Sequence, residues 1–301
     1  MMDGSVAPRD AGTEQGAFRA EGGSLYVVAT PIGNLRDVTL RALDILRSVD
    51  IIAAEDTRVT ATLLARYGVT TKPRALHRHN EAQQSQALSA ALASGRSVAL
   101  VSDAGTPGIS DPGARVVRDA RTAGHRVVPI PGATAVAAAV SAAGLTAERF
   151  AFMGFLPQQA KARRELLATI AAWPVALVFY EAPHRIEETV GDLAGALDSR
   201  RSITVARELT KTFEAIASIP LAEATRWLAG DANRARGEFV LIVDAPRDGE
   251  ASSATTPDVG RLLTALLEEL PPARAARVAA AATGVPREAL YARALALKGQ
   301  R

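Results

Sequence analysis

The chain has 301 residues, 48% of them hydrophobic and 22% charged, with a formal net charge of +3; it is long enough for more than one core and is globular rather than disordered or fibrous in composition. It contains no cysteine, which excludes disulfides, thiolate metal sites, iron–sulfur clusters and cysteine nucleophiles. The four histidines, His77, His79, His125 and His184, lack the spacing of a metal-binding motif, so no metal is expected.

Residues 1–23 mix acids, bases and glycines without an apolar stretch and read as a disordered tail, neither a signal peptide nor an anchor. The most apolar later segment, 133–145, is built of alanine and is shorter than the roughly 20 residues that cross a bilayer. The expectation is a soluble, cytoplasmic protein that makes no use of a membrane. After the tail, short apolar runs alternate with glycine or proline turns and longer amphipathic stretches, a pattern that predicts strand–helix units around a mostly parallel sheet. Strands are expected at 25–30, 50–54, 97–102 and 126–130, with helices beginning near Thr39, Thr57, Asn80 and Gly113, giving an N-terminal α/β domain over 24–143. A second α/β domain over 144–246 has expected strands at 150–155, 175–180, 202–208, 213–219 and 238–244, and helices at 159–173 and 183–197. Residues 247–257, rich in serine, threonine and proline, read as a linker. A helical C-terminal domain over 258–301 follows in three stretches, 258–270, 273–283 and 286–297, with Leu262, Leu266, Leu270, Leu290 and Leu297 at helical spacing. From Pro271 onward six basic residues, Arg274, Arg277, Arg287, Arg293, Lys298 and Arg301, stand against the single acid Glu288. That excess reads either as a nucleic-acid footprint or as an ordinary solvated helix surface.

Open parallel sheets bind ligands at the carboxyl ends of their strands, so the bends leaving the strands hold the candidate site. The first expected strand runs into Pro31-Ile32-Gly33-Asn34-Leu35, where bare backbone can approach a ligand; Asp37 is available to cap the next helix. The third ends in Ser102-Asp103-Ala104-Gly105-Thr106-Pro107-Gly108-Ile109-Ser110-Asp111-Pro112-Gly113, where glycines and prolines fix one backbone path. This loop has no lysine or arginine and matches neither GxxxxGK nor GxGxxG, which favours a ligand without phosphates over a nucleoside triphosphate or dinucleotide. Asp103 suits ribose hydroxyls or a positive charge, and equally suits capping its own loop. Pro131-Gly132-Ala133-Thr134-Ala135 again pairs small side chains with a possible cap. Tyr180-Glu181-Ala182-Pro183-His184-Arg185 places a ring, a carboxylate and a cationic pair at a strand end. Asn80 followed by Gln83 resembles a capping box beside His77, Arg78 and His79.

These residues, together with Ala29-Thr30, Arg36-Asp37, Thr39, Ala54-Glu55-Asp56-Thr57-Arg58 and His79-Asn80-Glu81, resemble the RsmI family of the tetrapyrrole methylase superfamily, over 25–244 and again over 270–297. The resemblance implies two α/β domains of the tetrapyrrole methylase type with a small C-terminal helical appendage. It also implies S-adenosyl-L-methionine in the cleft between the domains, and a homodimer. It further implies methyl transfer to the ribose 2'-hydroxyl of a decoding-site cytidine in 16S rRNA, with 16S rRNA or the small ribosomal subunit as partner. By position it puts cofactor contacts on Pro31, Asp103, Ala104, Gly105, Thr134, Ala135 and Glu181. Where relatives that methylate tetrapyrroles have a GxGP turn, this chain has Thr30-Pro31-Ile32-Gly33. Candidate general bases are Glu55, Asp56 and His79, unranked; candidate phosphate contacts are Arg36, Arg58, Arg78 and Arg185. The competing readings are the same chemistry on a tetrapyrrole or protein acceptor, and a non-catalytic ribosome-binding factor.

Overall fold

In a computed structural model, residues 17–77, 80–246 and 259–299 are described. Arg78, His79, the linker 247–257 and most of the expected tail lie outside them. The last part of that tail is ordered: the Phe18 N–H donates to Asp44, the Ala20 N–H to the Ser48 hydroxyl and the Glu21 N–H to the Tyr26 hydroxyl.

The chain divides into two compact units, the first running through Gly144 and taking in Val205–Ala217 and Gly237–Val240, the second comprising Leu145–Thr204, Ser218–Arg236 and Leu241–Arg301. The two short insertions were expected with the second domain. Contact with the loop at Gly33 ties the turn near Lys211 to the first.

The first unit follows β1 (Ser24–Val28), α1 (Leu40–Ser48), β2 (Ile51–Ala54), α2 (Thr57–Arg66), β3 (Pro73–Ala75), α3 (Glu81–Ala93), β4 (Val98–Val101), α4 (Ala114–Thr122), β5 (Arg126–Ile130) and α5 (Ala135–Ala143). Its sheet is parallel in the order β3-β2-β4-β1-β5. Alternate residues of the strands feed opposite faces. Tyr26, Val28, Ile52, Ala54, Ala99 and Val101 pack with Ile45 and Leu46 of α1 and Leu64 of α2. Leu25, Ile51, Ala53, Val98 and Leu100 pack with Leu88 and Leu92 of α3 and Val116 and Ala120 of α4. Both faces are covered, as parallel sheets require, and the strands accordingly read as continuous apolar runs.

The cap of α1 is Thr39, whose hydroxyl accepts from the Ala42 N–H at 3.1 Å, and not Asp37, which sits in a 3-10 turn capped by Asn34. Thr39→Ala should therefore cost about 1 kcal/mol, measured as a lower urea midpoint at unchanged slope. Nor does Asn80 cap α3 with its side chain: its Oδ1 accepts from the His77 N–H and its Nδ2 donates to the Ala75 carbonyl. Glu81 instead reaches across to α4, where its Oε1 accepts from the Gly113 and Arg115 N–H groups.

After α5 the chain forms β6 (Phe150–Phe155), α6 (Ala160–Ile170), β7 (Ala176–Glu181), α7 (Ile186–Ala196) and β8 (Ser202–Arg207). β9 (Ala215–Pro220), α8 (Ala224–Ala229) and β10 (Phe239–Val243) follow, and the second sheet has the order β6-β7-β10-β8-β9. Three further helices, α9 (Val259–Glu269), α10 (Pro272–Thr283) and α11 (Arg287–Gly299), share a core of their own. Leu263, Ala275, Ala276, Ala279, Leu290 and Ala294 are fully buried there, with Leu262, Leu266, Leu270 and Leu297 packed around them. Arg274, Arg277, Arg287 and Arg293 are exposed on these helices; the Lys298 side chain and Arg301 lie outside the described residues. Among the described residues no helix is long and apolar enough to cross a membrane.

Candidate active site

After β1 the chain crosses β4 to reach β2, and after β4 it crosses β1 to reach β5. Connections leaving these two neighbours therefore run in opposite directions, and the crevice opened at their carboxyl ends is where such sheets bind ligands. The two bends meet there. Thr30 and Gly105 exchange backbone hydrogen bonds at 2.8 and 3.1 Å, and the buried Thr30 hydroxyl donates to the Ser102 carbonyl at 3.0 Å. The bend after β5 is tied in by the Thr106 hydroxyl, which donates to the Ala133 carbonyl, and by the Ala29 N–H, which donates to the Ile130 carbonyl.

Glycine makes this assembly possible at two points. Gly105 has φ of +85°, and a Cβ there would lie 3.3 Å from Ile32 Cγ2 and 3.6 Å from the Ala133 carbonyl. A Cβ on Gly132 would lie 2.9 Å from that of Ala29. At Gly132 an added Cβ would come too close to the Ala29 side chain, while at Gly105 the left-handed backbone is what favours glycine and an added Cβ would press on Ile32.

Of the residues expected to hold a cofactor, Pro31, Asp103, Ala104, Gly105, Thr134 and Ala135 belong to these three bends. Pro31 and Gly105 are buried and Ala104 is exposed. Asp103 caps the neighbouring loop rather than its own: its Oδ1 accepts from the Asp56 N–H at 2.7 Å, its charge is felt by Arg58, and Oδ2 has no hydrogen-bond partner among the described residues. Thr134 occupies the N-cap of α5 without making a side-chain capping bond.

Glu181 lies in the second unit. It is 2% exposed, its Oε1 accepts from the Ala182 N–H and its Oε2 from the Thr189 hydroxyl at 2.6 Å. Arg185 stands 3.2 Å from the same carboxylate and donates to the Leu156 carbonyl at 2.7 Å. Its side chain is only 12% exposed, so a phosphate contact would have to draw it out of these bonds. Sequence reasoning missed Arg163, 1% exposed, which is bonded to Asp192 at 2.6 Å and reaches the Pro157 and Gln158 carbonyls. Arg163 and Arg185 thus hold the same loop after β6 from two directions.

At the end of β2, Asp56 caps α2 and is gripped by the Arg58 guanidinium through bonds of 2.6 and 3.1 Å. Those bonds hold its pKa down at about 2, far from the neutral range where a general base works best. Glu55 is half-buried beside it and has partners of its own. Arg36 is exposed and unpaired among the described residues, and the Arg58 side chain is 89% exposed despite its ion pair. Arg66, Lys72 and Arg74, also exposed, have no ion pair among the described residues, and no acid occurs from Thr57 to Asn80. Among the described residues no group of His, Asp or Glu is arranged to hold a metal.

Residues 24–225 match the family described as tetrapyrrole (corrin/porphyrin) methylases, and residues 253–298 match the RsmI C-terminal HTH domain. A protein of Vibrio cholerae named ribosomal RNA small subunit methyltransferase I is 52% identical over 268 residues, which are 89% of this chain and 92% of that protein. Its namesake in Escherichia coli O157:H7 is 48% identical over 277 residues, 92% of this chain and 96% of the other. Among solved structures, cobalt precorrin-4 methyltransferase CbiF aligns with a TM-score of 0.56 at 16% identity, over 74% of this chain and 95% of that one. The methyltransferase CobJ aligns with a TM-score of 0.56 at 23% identity, over 74% and 94%. These structures share the fold.

Proposed function

We propose, for a chain that belongs to the tetrapyrrole methylase family and carries the RsmI C-terminal domain, that it transfers a methyl group from S-adenosyl-L-methionine to a ribose 2'-hydroxyl of a decoding-site cytidine in 16S rRNA. The observation that carries this reading is the knot of bends around Thr30 and Gly105 at the switch crevice, free of lysine and arginine. The high identity to proteins named as small-subunit rRNA methyltransferases supports the acceptor class.

The residues fit the cofactor. The left-handed backbone at Gly105 favours a residue with no side chain there, the open Oδ2 of Asp103 suits a ribose hydroxyl, and the absence of lysine and arginine from 102–113 suits a ligand without phosphates. Pro31, Asp103, Ala104, Gly105, Thr134 and Ala135 would hold it; the Glu181 carboxylate is already engaged by the Ala182 N–H, Thr189 and Arg185. When bound, it supplies a methyl group on a sulfonium, poised for in-line displacement. The chain's part is alignment, which for well-oriented groups is worth roughly 7 to 11 kcal/mol.

Removal of the hydroxyl proton contributes on the order of 100- to 10,000-fold when a base is positioned for it. Glu55 is the candidate among the described residues and His79 the one outside them. Asp56, held at low pKa by Arg58, is not expected to titrate in the working range. Asp56→Asn should leave the pH profile of transfer between pH 6 and 9 unmoved; a displaced acid limb would make Asp56 the base.

Arg36 and Arg58, with Arg66, Lys72 and Arg74 nearby in sequence and Arg274, Arg277, Arg287 and Arg293 on the C-terminal helices, are proposed to meet rRNA phosphates, as is Arg78. Each such contact removed should lower the salt slope of binding by about 0.7 to 0.9. An unchanged slope in an alanine variant takes that residue off the surface. We place the enzyme in the cytoplasm, acting as a homodimer on rRNA or the small subunit. Nucleoside mass spectrometry of small-subunit RNA incubated with protein and isotopically labelled cofactor tests acceptor and reaction together: labelled 2'-O-methylcytidine is expected, and a labelled base or no label refutes the assignment.

A further inference from the structure

We propose that Lys211 is a positioning residue for methyl transfer, a clamp that fixes the loop after β1 at Gly33. The inference rests on the methyltransferase reading above and adds to it a part of the chain that the bends themselves do not include.

Between β8 and β9 the chain makes a turn at Glu208-Leu209-Thr210-Lys211. Glu208 has φ of +50° and Thr210 of +67°, both in the left-handed region that side chains resist, although neither is glycine. The Thr210 hydroxyl oxygen is buried and has no hydrogen-bond partner among the described residues. A turn built this way persists only if its surroundings over-determine it, and such outliers gather where position matters to function.

The surroundings are specific. The Lys211 ammonium donates to Glu208 Oε1 and Glu238 Oε2, each at 2.8 Å, and the Glu238 N–H donates to Glu208 at 2.9 Å. Gly237, with φ of +93°, leaves room for Glu208, since a Cβ there would lie 2.4 Å from Glu208 Cγ. Burial draws the Lys211 pKa down, yet the two carboxylates outweigh it and hold the pKa above the ordinary lysine value. A cation already shared by two carboxylates is poorly placed to bind phosphate, which separates Lys211 from Arg36 and Arg66.

The turn meets the β1 loop with no space to spare. A Cβ on Gly33 would lie 2.5 Å from Lys211 Cγ, 2.9 Å from Thr210 Oγ1 and 3.0 Å from the Leu209 carbonyl. The same loop is held elsewhere by the Tyr67 hydroxyl, which donates to the Leu35 carbonyl at 2.7 Å. Pro31, proposed to contact the cofactor, lies two residues before Gly33, so movement of this contact is transmitted to the site.

The test compares Lys211→Met, Lys211→Arg and Glu238→Gln with wild type in steady-state methylation of small-subunit RNA and in calorimetric titration with S-adenosyl-L-methionine. Misplacement by about 1 Å can cost on the order of 100-fold, so Lys211→Met should lower kcat by about 10- to 100-fold. RNA KM should stay within about threefold of wild type, while cofactor binding weakens about tenfold. Lys211→Arg should recover most of the loss. Glu238→Gln, altering a carboxylate whose side chain is 75% exposed, should give a smaller loss of the same kind, including in the event that Lys211→Met does not fold. A folded Lys211→Met with wild-type kcat and cofactor affinity overturns the inference. So does a raised RNA KM at unchanged kcat, which would make Lys211 a phosphate contact, and so does Glu238→Gln indistinguishable from wild type. Wild-type protein inert in both assays overturns the methyltransferase reading itself.

Discussion

Gly105→Ala is expected to weaken S-adenosyl-L-methionine binding at least tenfold, whereas Gly108→Ala, three residues along the same loop, is expected to change it by less than about twofold. Both glycines have left-handed backbone, φ of +85° and +82°, so alanine at either bears a similar conformational cost of about 1 to 2 kcal/mol. They differ in what the added methyl meets. At Gly105 it faces Ile32 and the Ala133 carbonyl, one from each neighbouring bend, while at Gly108 nothing lies within 4 Å. Melting temperatures should fall by a few degrees in both, at about 2 to 4 °C per kcal/mol for a domain of this size. Titration calorimetry should separate them, and equal cofactor affinities in the two folded variants would remove Gly105 from the site.

The second large effect concerns the loop after β6. Asp192→Ala should cost about 3 to 5 kcal/mol, because it strands the guanidinium of Arg163, 1% exposed, with only the 73% exposed Glu188 and carbonyl oxygens as partners. Arg163→Met should cost less, since an apolar side chain of comparable length fills the space and Asp192 retains some access to solvent. Urea denaturation reads both. The reverse order would mean that the pair is held by solvent rather than by the fold.

Much of this fold was legible because burial on both sides writes itself into strands as unbroken apolar runs. Val98-Ala99-Leu100-Val101 and Phe239-Val240-Leu241-Ile242-Val243 are unmistakable in that sense, and the glycine- and proline-rich bends that follow the first-unit strands mark the candidate site equally clearly. β3 escaped notice because it is a three-residue edge strand that begins with Pro73, which has no N–H to give a ladder. The cap of α1 was misassigned because Asp37 and Thr39 are both good caps, and only the 3-10 turn between them decides which N–H groups remain open.

Less legible still was what depends on long-range contact. Nothing in Glu208-Leu209-Thr210-Lys211 announces left-handed backbone, since the enabling glycines are Gly33 and Gly237, distant in sequence. Arg163 reads as one more charge on an amphipathic helix until Asp192, a helix away, turns it inward. Glu181 and Arg185 were placed at a strand end correctly in space, but their pairing with each other, with Thr189 and with the Leu156 carbonyl emerges only from the fold.

The most direct measurement is a crystal structure of the protein soaked with S-adenosyl-L-methionine. Cofactor density should lie against Asp103-Ala104-Gly105 and Thr134-Ala135, with a ribose hydroxyl at Asp103 Oδ2 and the Thr30–Gly105 bonds intact. Density elsewhere in the fold, or an empty crevice at a concentration where calorimetry shows binding, would contradict the account.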